Sequence, residues 1–117
     1  MSDSIIKEKS FELAVCGVNF YKYLVADKKE FVMSKQFLRS VTSVGANVSE
    51  VVNAQSKADF IHKLSISQKE CDETMYWLEL LKETEYISEN DFKSIHEKSN
   101  VVLKIIRSII ITTKKNL

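Results

Sequence analysis

The sequence predicts an all-α protein folded as an antiparallel, up-down-up-down four-helix bundle, one domain over residues 1–117. Three observations carry that expectation. Pro is absent and Gly occurs twice; helix interiors tolerate both badly, whereas sheets need them in their turns. Apolar residues recur at alternating steps of four and three, the seam of helices packed in a bundle. Two Ser-x-x-Asp capping boxes, Ser56-Lys57-Ala58-Asp59 and Ser88-Glu89-Asn90-Asp91, mark where new helices start. The helices are expected over roughly 4–26, 34–53, 57–84 and 89–113, joined by short loops.

The first helix carries two adjoining apolar stripes. One holds Phe11, Val15, Val18 and Val25 with Ala14 and Tyr21; the other holds Leu13, Cys16, Phe20 and Leu24. A helix apolar over so much of its circumference has more than one packing partner. Gly17 costs about 1 kcal/mol against Ala in mid-helix, and it reads as a close helix–helix approach. Asp27-Lys28-Lys29-Glu30 is a polar connection, after which Phe31, Val32 and Met33 fold the chain back.

Ser34 is the expected N-cap of the second helix. Its seam is Phe37, Val41, Val44 and Val48, and the flanks are small (Ser40, Ser43, Gly45, Ala46, Ser49), which admits close neighbours. The third helix follows the four-three spacing through Phe60, Leu64, Ser67, Cys71, Thr74, Leu78 and Leu81. The fourth has Phe92, Ile95, Ser99, Val102, Ile106 and Ile109 on the seam, with Val101, Leu103, Ile105, Ile110 and Ile111 outside it. The apolar surplus on the first and fourth helices exceeds what a monomer of this size buries, which predicts a homo-oligomer.

Hydrophobic residues make up 44% and charged residues 28%, and the net charge is +1. Residues 56–90 hold four Lys against eight acids, a net −4, while residues 91–117 hold six Lys and Arg against two acids, a net +4. Opposite charge favours packing these segments side by side. The pI of about 7.7 lacks the strong basicity of a dedicated nucleic-acid-binding domain. The N-terminus has no apolar signal region, and the run Val101–Thr112 is broken by Lys104 and Arg107 and falls short of the roughly 20 residues a membrane span needs. A cytoplasmic protein that does not cross a membrane is expected, with Cys16 and Cys71 as free buried thiols.

Catalytic chemistry finds no motif. A di-iron bundle needs Glu-x-x-His pairs facing inward; the near match, Asp59-Phe60-Ile61-His62, puts His62 about 200° from core-facing Phe60. His96 has no carboxylate three residues before it, and both histidines are read as solvent-facing. Neither cysteine sits in a Cys-His pattern, and no Gly-rich phosphate loop occurs. No enzyme, metal or cofactor is expected.

If the second and third helices are antiparallel about a turn near Ala54, Arg39 lies level with about Lys69 and reaches Glu70 or Glu73. Two roles stay open for it, an ion pair that fixes register and a phosphate contact. Asn47 and Glu50 are expected to tie down the start of the third helix. The candidate nucleic-acid contacts are Lys35, Arg39, Lys57, Lys63, Lys104, Arg107, Lys114 and Lys115. Each is an ordinary surface charge in one chain, but an oligomer multiplies a modest basic strip, and phosphate binding grows with such contacts.

One set of residues also carries a resemblance. Gln36-x-x-Arg39-x-x-x-Ser43-Val44-x-x-Asn47-Val48-x-Glu50 is followed by Ser56-Lys57-x-x-Phe60-Ile61-x-x-Leu64-x-Ile66, then by Glu73-x-x-x-Trp77-Leu78-x-Leu80-Leu81 and Tyr86-Ile87. Over about half the chain this resembles the bacterial four-helix-bundle family of ribosomal RNA intervening-sequence proteins. The accessory variability determinant of diversity-generating retroelements is a relative. The resemblance implies an antiparallel bundle assembled as a homopentamer, with nucleic-acid binding, and for the retroelement branch a reverse-transcriptase partner. It also implies that Gln36, Arg39, Ser43, Asn47, Glu50, Glu70 and Glu73 form a structural motif. Two positions depart from the family pattern: Glu50-Val51 stands for a usual Glu-Gly, and Gly45 for a frequent Pro. The function expected is a non-enzymatic oligomer that binds RNA, DNA or a nucleoprotein. A protein–protein scaffold free of nucleic acid is the alternative.

Overall fold

Long apolar-seamed segments with few breakers fold as long helices, and the computed structural model shows four. It describes residues 2–116, and side chains from residue 5. The helices are α1 (Ser2–Ala26), α2 (Met33–Glu50), α3 (Lys57–Glu83) and α4 (Glu89–Lys115), and a 3-10 turn, Val51–Asn53, follows α2. Helices rise 1.5 Å per residue, so the 47 Å long axis is one helix with its connections, and the 21 × 20 Å cross-section is two helices by two. Each helix packs against two neighbours, in the cycle α1, α2, α3, α4 and back to α1. The all-α bundle read from the sequence is the observed fold.

The serine half of each expected capping box forms. Ser56 Oγ accepts from the Asp59 N–H, and Ser88 Oγ from the Asp91 N–H, each at 3.1 Å. The start of α2 differs from expectation. Ser34 is not its cap but lies inside the helix, fully buried. Glu30 supplies the cap from the preceding connection: its carboxylate accepts from the N–H groups of Val32, Met33 and Ser34 at 3.1, 3.1 and 2.6 Å. Ser34 Oγ closes the loop by donating to the Glu30 carbonyl at 2.7 Å. Burial opposes ionisation of Glu30, but the N–H groups of Ser34, Met33 and Val32 and the Ser34 hydroxyl outweigh it and hold the carboxyl below its ordinary value.

The predicted seams supply most of the core; Phe60, Phe92 and Ile109 on them are only half-buried, while Leu103 and Ile110, expected outside the α4 seam, are buried. Phe37, Val41, Val44 and Val48 of α2 are buried, as are Leu64, Cys71, Leu78 and Leu81 of α3 and Ile95, Val102 and Ile106 of α4. In α1 the buried face is Ile6, Ser10, Leu13, Gly17, Phe20 and Leu24; of the Phe11 stripe, Ala14, Val18, Tyr21 and Val25 are half-buried, with Phe11 69% exposed and Val15 46%. The glycines set the α1–α2 distance. A Cβ on Gly17 would stand 2.6 and 2.7 Å from the two γ-methyls of Val41, and one on Gly45 would stand 3.3 Å from the Ser10 carbonyl oxygen.

Buried hydroxyls fix the register across the bundle. Ser67 donates to the Val44 carbonyl at 2.7 Å, and Thr74 Oγ1 meets Ser40 Oγ at 3.1 Å, both between α3 and α2. Cys71 Sγ donates to the Ser99 carbonyl of α4 at 3.2 Å. Burial, with Asp72 adding to it, pushes the Cys71 thiol up to about 12, far from a nucleophilic range. Cys16 is only half-buried, so the expectation of two buried thiols holds for Cys71 alone. The acidic 56–90 segment and the basic 91–117 segment do lie side by side, with one direct ion pair between them, Arg107–Asp72 at 4.0 Å; Lys82–Glu89 at 3.3 Å joins α3 to α4 with the opposite polarity.

Candidate nucleic-acid interface

The fold distributes the eight basic candidates over different faces. Lys57, Lys114 and Lys115 gather at the end of the bundle where α3 begins and α4 stops, because antiparallel neighbours bring those termini level. Lys57 Nζ donates to the Asn116 carbonyl at 2.6 Å, next to the two terminal lysines. Lys63 is one and a half turns along α3 and is neutralised by Asp59 at 2.8 Å. That contact, then the N–H of Gln55, holds the Asp59 carboxyl below its usual range. Beside this end lies an apolar pocket of about 60 Å³, lined by Ile6, Val48, Val51, Phe60, Leu64 and Ile109 among others.

The other candidates lie elsewhere. Lys104 borders a groove between α4 and α1 with Ile5, Ile105, Ser108 and Ile109. Arg107 is on the α3–α4 side, 4.0 Å from Asp72. Lys35 is exposed in the first turn of α2, at the opposite end from Lys57. The candidates therefore do not line up as one continuous basic strip along the chain among the described residues.

Arg39 bridges two carboxylates. Its Nη2 donates to Glu73 at 2.8 Å and its Nη1 to Glu70 at 3.3 Å, joining α2 to α3 at the level expected from the antiparallel turn. The two acids respond differently. Burial, then its hydrogen bond with Glu73, pushes the Glu70 carboxyl up against the pull of Arg39. The hydrogen bond from Arg39 pulls Glu73 down, because Glu73 stands further out in solvent. This is the ion pair of the register reading, and the Arg39 side chain stays 52% exposed.

Three details correct the sequence reading. Asn47 does not secure α3: its Nδ2 donates to the Ser43 carbonyl within its own helix at 2.8 Å. Among the described residues Glu50 makes no hydrogen bond to α3 either; the cap there is Ser56 Oγ on the Asp59 N–H, with the Asp59 carboxylate accepting from the Gln55 N–H just before the helix. His62 is exposed, but His96 is half-buried, stacked on Phe92 at 4.9 Å with Nε2 toward Glu79. Sequence reasoning also passed over the α1–α2 turn, where Phe31 is 50% and Val32 75% exposed. The available signal was an apolar pair directly after a polar tetrapeptide.

A family model described as 23S rRNA-intervening sequence protein matches residues 2–108. The chain belongs to that family. A solved structure is similar throughout, with 56% identity and a TM-score of 0.93, covering 94% of this chain and 98% of the other. It is described as a protein of unknown function from the S23 ribosomal protein family of Bacteroides thetaiotaomicron. No curated protein matches the chain. The match over residues 2–108 takes in α1, α2, α3 and most of α4, so the family likeness extends past the half of the chain whose motif was legible. Among the described residues no helix is long and apolar enough to cross a membrane.

Proposed function

We propose that this family member is a non-enzymatic, cytoplasmic homo-oligomer that binds nucleic acid or a nucleoprotein partner. The observation that carries the reading is the lysine cluster at one end of the bundle, Lys57 with Lys114 and Lys115, none of which forms an ion pair among the described residues. The family's description as 23S rRNA-intervening supports it. One such cluster is a weak electrostatic site, and repetition around an oligomer, a pentamer by family resemblance, turns it into a strong one. Lys35, Lys104 and Arg107 add contacts if assembly brings copies of these faces together. Arg39 is committed to Glu70 and Glu73 and contributes through the fold.

The test is a salt-titrated binding assay with structured RNA and duplex DNA. Lys57→Glu with Lys114→Glu and Lys115→Glu weakens binding and flattens the dependence of log affinity on log salt. An intact oligomer that binds neither ligand at low ionic strength ends the proposal. Sedimentation tests assembly: Phe11, Val15 and Ile5 on α1 and Val101 and Ile111 on α4 remain exposed in one chain, and a monomer at micromolar concentration refutes the oligomer.

A second reading has an observation of its own. The groove between α1 and α2, about 400 Å³ and lined by Phe11, Ala14, Gly45 and Ala46 among others, is apolar and open. It suits a protein–protein scaffold without nucleic acid. Partners that survive nuclease treatment support that reading, and loss of all of them counts against it.

A further inference from the structure

We propose that the apolar pocket at the end of the bundle where α3 begins binds a short aliphatic carboxylate, with its carbon chain inside and its charged group at Lys7. The proposal goes beyond the nucleic-acid reading and does not depend on it.

The two ends of the bundle are closed differently. At one end the α3–α4 connection sends Ile87 into the core, where it is 7% exposed. At the other, α2 gives way to the 3-10 turn Val51–Asn53, none of whose residues is buried. Ala54, Gln55 and Ser56 follow with small or polar side chains, and Val52 stands 67% exposed. This connection lines the end of the core without filling it, and a pocket of about 60 Å³ is left there.

Each of the four helices contributes to its wall. Ile6, Val48 and Leu64, all buried, come from α1, α2 and α3, and half-buried Ile109 comes from α4. Half-buried Val51 and Phe60 complete it, and exposed Lys7 is the charged residue on the lining. A shallower hollow shares Val51 and Phe60 and carries Lys57, Ser56 and Gln55. Among the described side chains the acids at this end are Glu8, Glu50 and Asp59, and none of them lines either hollow. Asp59 is already held by Lys63 and by the Gln55 N–H.

Those walls decide the class of ligand. An apolar cavity gives water nothing to hydrogen-bond, so it favours an apolar occupant. Its volume equals about four to six water-sized spheres, which is roughly a chain of four or five carbons. A nucleobase is too large, and its edges would find no polar partner on this wall. A long fatty acid would have to part the helices. The cation at the rim selects a carboxylate over a neutral head group.

The experiment uses the full-length protein with isotope-labelled Ile, Leu and Val methyls, titrated by NMR with hexanoate and, separately, with hexanamide. Hexanoate shifts the methyl signals of Ile6, Leu64 and Ile109 saturably, with a dissociation constant of about 1 mM, the scale for so small a ligand. Hexanamide binds up to about fivefold more weakly, and Lys7→Gln removes that difference by weakening the acid alone. Val51→Phe fills the mouth and abolishes binding of both, with helix content unchanged by circular dichroism. No saturable shift in tens of millimolar hexanoate overturns the proposal, as do equal affinities of the wild type for acid and amide. A peptide ending in leucine that shifts these methyls where hexanoate does not overturns it in favour of a protein partner. Structured RNA is titrated separately, so failure of either reading leaves the other standing.

Discussion

Gly17→Ala tests how α1 and α2 are held together. In an exposed helix the change stabilises by about 1 kcal/mol, from helix propensity. Here the new Cβ would stand 2.6 and 2.7 Å from Val41 Cγ1 and Cγ2 and 3.2 Å from its Cβ. Val41 is fully buried. A valine in a helix has one strongly preferred rotamer, so it cannot swing both methyls away. The helices must part, and overpacking of this kind costs about 1–3 kcal/mol. Subtracting the propensity gain leaves a net loss of up to about 2 kcal/mol. Val41→Ala alone loses about 2 kcal/mol through the cavity it leaves. In that background the two methyl clashes are gone and only the tight 3.2 Å contact to the residue-41 Cβ remains, so Gly17→Ala loses most of its cost or becomes stabilising. Urea unfolding followed by circular dichroism reads the four corners of the cycle, at one protein concentration because assembly contributes to stability. Gly17→Ala stabilising the wild type by about 1 kcal/mol, as propensity alone dictates, would refute the close approach.

Three further outcomes follow from the same packing. Glu30→Ala removes the α2 cap and costs about 1–2 kcal/mol; since the Glu30 carboxyl is held low, its contribution is complete above roughly 4.3, the unfolded value, and is lost as pH falls through the folded value. Urea midpoints near pH 7 and pH 3 should therefore differ less in Glu30→Gln than in wild type. Glu70 has the opposite sign: its carboxyl is raised, so its ionisation erodes stability as pH climbs from about 4.3 through the folded value. Glu70→Gln should be neutral or slightly stabilising at pH 7, whereas Glu73→Gln loses up to about 1 kcal/mol, the scale of an exposed pair; equal losses would show that Arg39 does not distinguish them. Glu85, at φ 66°, closes the end of α3 as the Tyr86 N–H reaches the Leu81 carbonyl and the Glu85 N–H reaches Lys82. Glu85→Gly relieves the left-handed strain and should raise stability by about 0.5–1 kcal/mol, read as a higher melting temperature.

The sequence by itself determined the helices, their seams and two of their starts. Those features are local: side chains three and four apart share a face wherever the helix goes, and a Ser-x-x-Asp box meets its own N–H groups. It also placed Arg39 opposite Glu70 and Glu73, because a short antiparallel turn converts residue number into height along the bundle. The Gln36–Glu50 series was legible as a resemblance and matches a family whose model spans residues 2–108. Tertiary structure alone decided the rest. Glu30 caps α2 from outside it, a role open to a carboxylate only once the turn at Lys29 has reversed the chain. Asn47 donates to the Ser43 carbonyl of its own helix, while the α3 start takes its cap locally from Ser56. Each basic residue reads in the sequence as an ordinary surface charge, and helix rotation sends Lys104, Arg107 and Lys57 to different faces. Which surface a charge occupies depends on how four cylinders are turned about their axes, and that is set by long-range contacts such as Gly17 against Val41.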